Sequence, residues 1–576
     1  VVETINGAKL HFKSISVKDK LFLTQKYGIP YVISTLLYNR QPNLDEIDHF
    51  LSPKLKNLIP DPFLLLGMQK AINRIIDAIK LDEKIVIYGD YDVDGATSSA
   101  LFKKYFKALG LNVKIYIPDR ISEGYGPNKS AFLKLKELGY NLCITVDCGI
   151  MAHDEIKFAK ENKLDVIVVD HHMSIDTLPD AEAVVNPNRI DQPNVPYTEN
   201  LAAVGVSFLV LIAVNTTLRS INFFQQNNIE EPNLIDYLDI VALGTVCDIV
   251  KLTGINRALV KQGLKVIQKR KNLGLRTLID VLGIYDEITT YHLGYIIGPH
   301  INAGGRLSDS SLGSELLSTD DPQRAKDIAV TLQSLNLKRR EIEKSAFDEA
   351  LLKVEYTNDK FVMVDSENWH QGIIGIVASR LKDHFHLPTI VISKDTEIGK
   401  ASARSIKGTN LGAAVISAKT ENLIIEGGGH EMAAGFSVEN KKILDLKNFF
   451  KKQFHDINTE KIIIIDEEIQ LNAITVDFCQ QLNLLAPYGV GNPEPKFIIS
   501  NIRIINARII NNQHISCIIS DLFTGKSIRA IAFQIINSKL GNSILCSNVT
   551  KLLVKIKLEY WQGRLNPQLI IEDGVI

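Results

Sequence analysis

The sequence predicts an α/β protein of several domains. A parallel sheet comes first, then a long connecting helix, a second α/β domain and a C-terminal OB-like β-barrel. Three observations predict this order. Apolar runs alternate with helical stretches from Lys84 to Val169, the pattern of a parallel sheet covered on both faces. Ser318-Thr-Asp-Asp-Pro322 places cap residues just before a proline, a strong helix start. Beyond Lys461 the chain breaks into short β-rich runs between polar turns. The length of 576 residues suits about three or four domains.

The stretch to about Pro60 is polar and mixed, and Pro42-Asn-Leu-Asp45 reads as a helix start. Residues 1–60 are therefore a helical preface. The first α/β domain spans 61–317. Its expected strands are Lys84–Tyr88, Val113–Ile117, Leu142–Val146 and Asp165–Val169, with helices Ala96–Leu109, Lys129–Leu138 and His153–Lys163 between them. Continuous apolar strands suit a sheet buried on both faces. Leu201–Val214 is apolar but shorter than the ~20 residues of a spanning helix, and reads as a buried core helix. The helix from Pro322 continues towards Leu352 and would span about 45 Å. Its charged middle, Leu337 to Glu341, suits a linker between lobes, 318–354. The second α/β domain, 355–456, offers strands Phe361–Val364 and Thr389–Ile392 around helix Gly372–Leu381. Residues 457–576 hold the runs Lys461–Ile465, Ile502–Ile505, Ile515–Ile519, Ile528–Ile531 and Leu552–Ile556, read as a small barrel.

Composition excludes several classes. Hydrophobic residues make up 45% and charged residues 23%, so the chain is neither disordered nor fibrous. Lys+Arg 65 against Asp+Glu 66 excludes a globally basic nucleic-acid coat, so a polyanion site needs local cations or bound metal. Six cysteines without a CxxC pair argue against a zinc ribbon. Sparse cysteines and no signal peptide point to a reducing cytoplasm, with no membrane role.

The placement of acids carries the chemistry. Asp90-Tyr-Asp92-Val-Asp94-Gly95 follows the first expected strand, Asp147 closes the third, and Asp170-His171-His172 closes the fourth. Ligand sites of open parallel sheets lie outside the carboxyl ends of the strands, so these clusters belong at one rim. Asp248 follows an expected apolar helix, Leu234–Leu243, and can reach that rim. Crowded carboxylates repel, and divalent cations are the simplest way to hold them ionised. Asp with His and no thiolate favours Mn2+ or Mg2+ over structural zinc. Two such cations need a bridging carboxylate, and Asp147 is the candidate. Taken singly, each cluster has a plainer reading: an acidic turn or calcium loop at Asp90, capping histidines at His171 and His172, a helix-end cap at Asp248. The calcium loop fails because Ala96-Thr-Ser-Ser99 supplies no closing glutamate. Joint placement at strand ends favours the metal centre. Cys148 and Cys247 beside these acids read as small buried fillers rather than redox groups.

These motifs, in this order, resemble those of the DHH phosphoesterase family, and within it the branch that degrades single-stranded DNA from 5′ ends. Further similar segments are Gly298–Leu307, Trp369–Gly375, Ser402–Ser405, Gly427–His430 and Leu485–Pro495. The resemblance runs from about Pro60 to the C-terminus. It implies that Asp92, Asp94, Asp147, His171 and Asp248 are ligands of two divalent cations, with Asp147 bridging. Asp90 would bind or orient a metal or its water, and His172 would contact the scissile phosphate. Asn302 and Arg306 would hold backbone phosphate. Arg120, Ser402, Arg404 and a turn at Gly427, Gly428 and Gly429 would form a 5′-phosphate pocket, where an Arg fork and successive backbone N–H groups suit an anion. His430 would be either a phosphate ligand or a structural residue. The resemblance also implies release of 5′-mononucleotides, a role in recombination and repair, and a strand clasped between the two α/β domains. A single-stranded-DNA-binding protein and a recombination helicase are the implied partners. Tyr560 and Trp561 are stacking candidates in the barrel, with burial the plainer reading.

Three positions depart from that branch: His300 replaces an arginine, Gly304 an alanine, and Cys247 an alanine. His300 would weaken a phosphate contact, being only partly charged at neutral pH. No departure removes an implied ligand. A small-substrate enzyme would use the same centre, but the C-terminal β domain argues for a strand guide. A non-catalytic DNA-binding relative would not retain all five ligands.

Overall fold

The computed structural model describes residues 2–13, 16–41, 43–119, 123–124, 126–355, 359–561 and 563–576, with the backbone alone at 561. Arg120, Pro42 and the Trp561 side chain, all named above, lie outside the described residues. The chain divides into two compact units. One holds 1–305, 309–332 and 462–576, and the other holds 306–308 and 333–461.

In the first unit, strands Ile85–Gly89 and Leu142–Val146 are buried at every residue. They are the centre of a five-stranded parallel sheet in the order Lys114–Tyr116, Ile85–Gly89, Leu142–Val146, Asp165–Val169, Ala183–Val185. The fifth strand is only three residues long, too short to read from periodicity. Register aligns Gly89 with Val146, Val146 with Val169, and Val169 with Val185. The next residues, Asp90, Asp147, Asp170 and Asn186, therefore line up along one rim.

The helices over this sheet touch closely. A Cβ on Gly244 would lie 2.3 Å from Thr97 Oγ1 and 2.8 Å from Val204 Cγ1, so glycine lets three helices meet there. The expected helix Leu234–Leu243 is a 3-10 turn, Leu234–Tyr237, followed by helix Leu238–Cys247. Helix Ala203–Ser220 is longer than expected and is long and apolar enough to cross a membrane, yet 72% of it is buried within the protein.

The N-terminal helices do not close a core of their own. Leu23, Ile33, Leu36, Leu37, Ile47 and Phe50 share one with Leu485, in the 3-10 turn Asn483–Leu485, and with Phe497, Ile519 and Leu569 of the C-terminal sheet. Strand Lys9–Phe12 pairs in parallel with Ile462–Ile465, so that apolar run lies outside the barrel where the sequence placed it. Pairing across so much intervening chain leaves no local signal. The C-terminal sheet has seven strands rather than about five. Phe497–Ser500 and Arg564–Val575 were not anticipated, and Lys551–Trp561 is twice the expected length. Its third-strand partners reach only Lys551–Val554 and Gln568–Ile570. The outer end of this hairpin is two-stranded, which leaves Tyr560 72% exposed rather than buried.

Helix Pro322–Lys353 starts where expected. Asp321 Oδ1 accepts from the backbone N–H groups of Gln323 and Arg324. In the second unit a five-stranded sheet runs Glu426–Gly429, Ala433–Glu439, Ile398–Arg404, Thr389–Lys394, Val362–Ser366. Ala346 and Ala350 of the long helix pack with Val362, Trp369 and Leu381 of that unit.

Arg257 is a fully buried cation within the first unit. Its guanidinium donates to the carbonyls of Phe50, Leu485, Ala486 and Pro487 at 2.7–3.2 Å and stacks 3.9 Å from the Phe50 ring. Burial lowers its pKa to about 10, so it stays charged at neutral pH. Arg257→Ala removes all four bonds, with Asn492 still donating to the Leu485 and Pro487 carbonyls, and is expected to cost about 3 kcal/mol or more. A fall in melting midpoint, read beside the milder Arg257→Lys, checks this. Asp239, in the first turn of helix Leu238–Cys247, is pushed up to about 6 by burial. Its carboxyl is held protonated below that value, so its contribution to stability is lost as pH rises through 6. Asp239→Asn keeps an acceptor for the Ile240 N–H. It is expected to gain about 2–3 kcal/mol over the wild type at pH 8 and little at pH 4, checked by denaturation at both pH values.

Candidate metal centre

The rim is assembled from loops that each turn sharply after a strand. Asp147 takes a left-handed backbone, φ 60°, which an aspartate tolerates. Gly95 packs so close to the Asp90 backbone that a Cβ would sit 2.4 Å from its carbonyl oxygen. Gly305 likewise leaves no room for a Cβ, which would lie 2.9 Å from the Tyr91 carbonyl. Glycines thus press the acidic loop into shape from two sides.

Each carboxylate is held by a different device. Asp92 Oδ1 caps helix Val93–Ala108 by accepting from the N–H groups of Asp94 and Gly95. Asp94, 1% exposed, accepts from Ala203 and Val204 N–H at 2.6 and 2.9 Å, at the start of helix Ala203–Ser220. Both placements favour negative charge at a helix N-terminus. Asp248 sits at the C-terminal end of helix Leu238–Cys247, where the helix dipole disfavours an anion. That position is unfavourable for stability and suits a ligand.

Donor atoms of Asp90, Asp92 and Asp147 lie within 4.8 Å of one another, as do those of Asp94, His171 and Asp248, and those of Asp147, His171 and His172. His171 Nε2 is 3.3 Å from Asp147 Oδ1 and 3.9 Å from Asp94 Oδ2, and its Nδ1 is 3.7 Å from Asp248 Oδ2. Asp147 and His171 thus connect overlapping sets. His171 Nδ1 donates to the Leu201 carbonyl at 3.0 Å, so the lone pair sits on Nε2. Burial, then the neighbouring His172, push its pKa down to about 4, so the ring is neutral.

These residues fit divalent cations. His171 Nε2 and Asp248 Oδ2 are buried without a hydrogen-bond partner. Burial, then the charge of Asp92, push Asp94 up to about 7 and Asp147 well above its ordinary value. Burial, then Asp94, push Asp248 to about 9. The carboxylates cannot all ionise together without added positive charge. Oxygen donors with one imidazole suit Mn2+ or Mg2+.

Asp170 and two asparagines hold the histidines, and the sequence reading gave them no role. Asp170, fully buried, accepts from the backbone N–H of Ile150, His171 and His172 and contacts His172 Nδ1 at 2.7 Å. These bonds keep it below the usual carboxylate range despite burial. Burial opposes a charge on His172, but the Asp170 bond outweighs it and raises the pKa. Asn186 and Asn188 donate to the His172 and His171 carbonyls. The only local signal was their position after a short apolar run, which is weak.

The other expected contacts are spread along the chain. Asn302 lies half-buried on helix Gly298–Leu307. Arg306 Nη1 donates to the Gly372 carbonyl at 2.8 Å. His300 is not a surface phosphate contact: it is 6% exposed and its Nδ1 meets the Ile296 carbonyl at 2.6 Å. A Cβ at Gly304 would lie 2.9 Å from the Asp309 carbonyl, so glycine allows a closer approach there. Cys148 is buried and Cys247 half-buried, and burial pushes both thiol pKa values up.

In the second unit, Ser402 and Arg404 sit two apart on one face of a strand, with Arg404 Nη1 donating to Ser402 Oγ at 3.1 Å. Gly427–Gly429 is not a turn. It lies in the edge strand Glu426–Gly429, with Gly428 opposite Gly435 and Gly435 opposite Ser402. His430 is exposed just beyond that strand. Gly375, at the start of helix Ile374–Phe385, abuts Ser402 and Arg404, where a Cβ would meet them at 3.0–3.1 Å. A helix N-terminus therefore adjoins the arginine, a favourable setting for an anion.

Removing a carboxylate from the rim should relieve repulsion and remove a ligand together. Asp147→Asn is expected to raise the melting midpoint of chelator-treated protein. Saturating Mn2+ should stabilise the wild type, by about 2.7 kcal/mol at a hundredfold excess over Kd, and leave the variant unmoved. Thermal scans with and without MnCl2 decide this.

Comparison with known proteins agrees with this architecture. Residues 84–245 match the DHH family N-terminal domain, 358–456 the DHHA1 domain, and 465–573 the RecJ OB domain. The chain is 35% identical to the single-stranded-DNA-specific exonuclease RecJ of Haemophilus influenzae, over 92% of this chain and 93% of that one. It is 34% identical to the Bacillus subtilis protein of the same name, over 96% of this chain and 69% of the relative. The crystal structure of RecJ from Thermus thermophilus in complex with Mn2+ superposes with a TM-score of 0.83 at 26% identity, covering 99% of this chain and 80% of that one. By its sequence, its three domains and its acidic rim, the chain belongs to the RecJ family of DHH exonucleases.

Proposed function

We propose that this protein is a metal-dependent exonuclease specific for single-stranded DNA. It works from 5′ ends and releases 5′-mononucleotides by phosphodiester hydrolysis. The observation that carries the reading is the convergence of donor sets on Asp147 and His171, in a chain whose relatives are named for this activity. Asp92, Asp94, Asp147, His171 and Asp248 would hold two divalent cations, Mn2+ or Mg2+, which would supply a water of lowered pKa and neutralise charge on the attacked phosphate.

The chain's own groups do the rest. Asp90 accepts a hydrogen bond from the attacking water and orients it. His172, its pKa raised by Asp170 against the effect of burial, donates to a non-bridging phosphate oxygen as charge builds there. Asn302 and Arg306 hold the backbone phosphate. Ser402, Arg404, the Gly427–Gly429 edge strand and His430 receive the 5′-phosphate, and Arg120 is assigned a phosphate contact by the family resemblance alone. The C-terminal sheet domain guides the strand. Domain limits at 60, 317, 354 and 456 remain those read from the sequence. Cytoplasmic work in DNA recombination and repair is part of the same proposal, as are a single-stranded-DNA-binding protein and a recombination helicase as partners.

Digestion of 5′-labelled single-stranded DNA with Mn2+, Mg2+ or chelator tests the reading, with duplex and 3′-labelled strands in parallel. Mononucleotides should appear from the 5′ end only with metal, and Asp147→Ala should lose at least about a hundredfold in rate. Binding without cleavage by the wild type would overturn it, and cleavage of dinucleotides alone would move the substrate to small molecules.

A further inference from the structure

Tyr291 and Tyr295 are stacked on each other at the protein surface. Their centroids are 5.4 Å apart and their planes 28° apart. Tyr291 is 50% and Tyr295 71% exposed. Two large rings held face to face in water form an apolar surface that the core does not use. Lys557, from the long hairpin of the C-terminal sheet, places its ammonium 5.3 Å over the Tyr291 ring. Glu494 lies 3.8 Å from that ammonium, while its nearer cation is Lys555 at 3.3 Å.

The backbone beneath the tyrosines is specialised. His292–Ile297 is a π-turn within a helix that continues as Gly298–Leu307, and such turns recur at functional sites. The Cys247 thiol donates to the Leu293 carbonyl at 3.4 Å. Gly298 packs so near that a Cβ there would lie 2.5 Å from Cys247 Sγ. Cys247 immediately precedes Asp248 of the acidic rim. At its other end the segment is tied to the start of the C-terminal domain, where Thr290 Oγ1 donates to the Tyr488 carbonyl at 2.7 Å. The exposed pair is therefore fixed both to the rim and to the domain that carries Lys557.

We propose that Tyr291 and Tyr295, with Lys557, form a base-stacking platform for single-stranded nucleic acid beside the acidic rim. Aromatic faces accept every base, and the ammonium suits a passing phosphate, so the platform grips without reading sequence. The inference rests on the exonuclease reading of the rim and adds where the incoming strand is held.

Binding of a fluorescent oligothymidylate, read by anisotropy in chelator, tests the platform without cleavage. Tyr295→Ala is expected to weaken binding about tenfold, and Tyr295→Phe to stay within about twofold of wild type, because stacking needs the ring and not the hydroxyl. An abasic spacer moved stepwise along the strand should weaken wild-type binding at one position, and that position should fall silent in Tyr295→Ala. Both rings are exposed, so the variants keep the core. Equal affinity in Tyr295→Ala, or the same spacer profile in both proteins, would overturn the platform. Weakened binding in Tyr295→Ala, with no Mn2+-dependent nucleotide release by the wild type, would overturn the exonuclease reading and still support the platform.

Discussion

Asp90, Asp92, Asp94, Asp147 and Asp248 are gathered at one rim, the first, third and fourth of them buried and Asp92 and Asp248 half-buried. Burial and mutual repulsion raise Asp94, Asp147 and Asp248 above the ordinary carboxylate range. Such a cluster opposes folding, and it persists only because surrounding structure over-determines each loop. Strand register sets Asp90, Asp147 and Asp170 side by side. Helix N-termini take up part of the charge on Asp92 and Asp94. Gly95 and Gly305 close the Asp90 loop against its neighbours. Positive charge supplied from outside is the remaining need, and that need is what makes the rim a metal centre.

Asp170 shows how one carboxylate escapes this crowding. It is as buried as its neighbours, yet backbone N–H groups and His172 keep it ionised. Asp170 in turn raises the pKa of His172, while burial and His172 lower that of His171, one residue earlier, to about 4. Adjacent histidines thus differ in how readily they take a proton. Their environments decide this, since the residues themselves are identical.

Away from the rim, Arg257 connects the helical preface, the first α/β domain and the entry to the C-terminal sheet through carbonyl oxygens alone. Four neutral acceptors and an aromatic face replace its hydration without an acid. The preface and the C-terminal sheet share one core around this point. That sharing, with the parallel pairing of Lys9–Phe12 and Ile462–Ile465, makes the two chain ends one structural body.

The sequence by itself determined the α/β sheet and its strand order in the chain. It also determined the position of the acids, the start of the long helix at Pro322 and the β character of the C-terminus. These are local matters: apolar runs ended by Asp, and caps before a proline, act within a few residues. Tertiary structure alone decided the rest. It turned the Gly427–Gly429 segment into an edge strand and buried His300 against its own helix. It left Tyr560 exposed at the two-stranded end of a hairpin and stacked Tyr291 on Tyr295 beneath Lys557. It also gave Asp94 the start of a helix more than a hundred residues away. Each of these depends on which distant segment supplies the neighbouring strand, carbonyl or charge, and pairing over such separations has no periodicity to betray it.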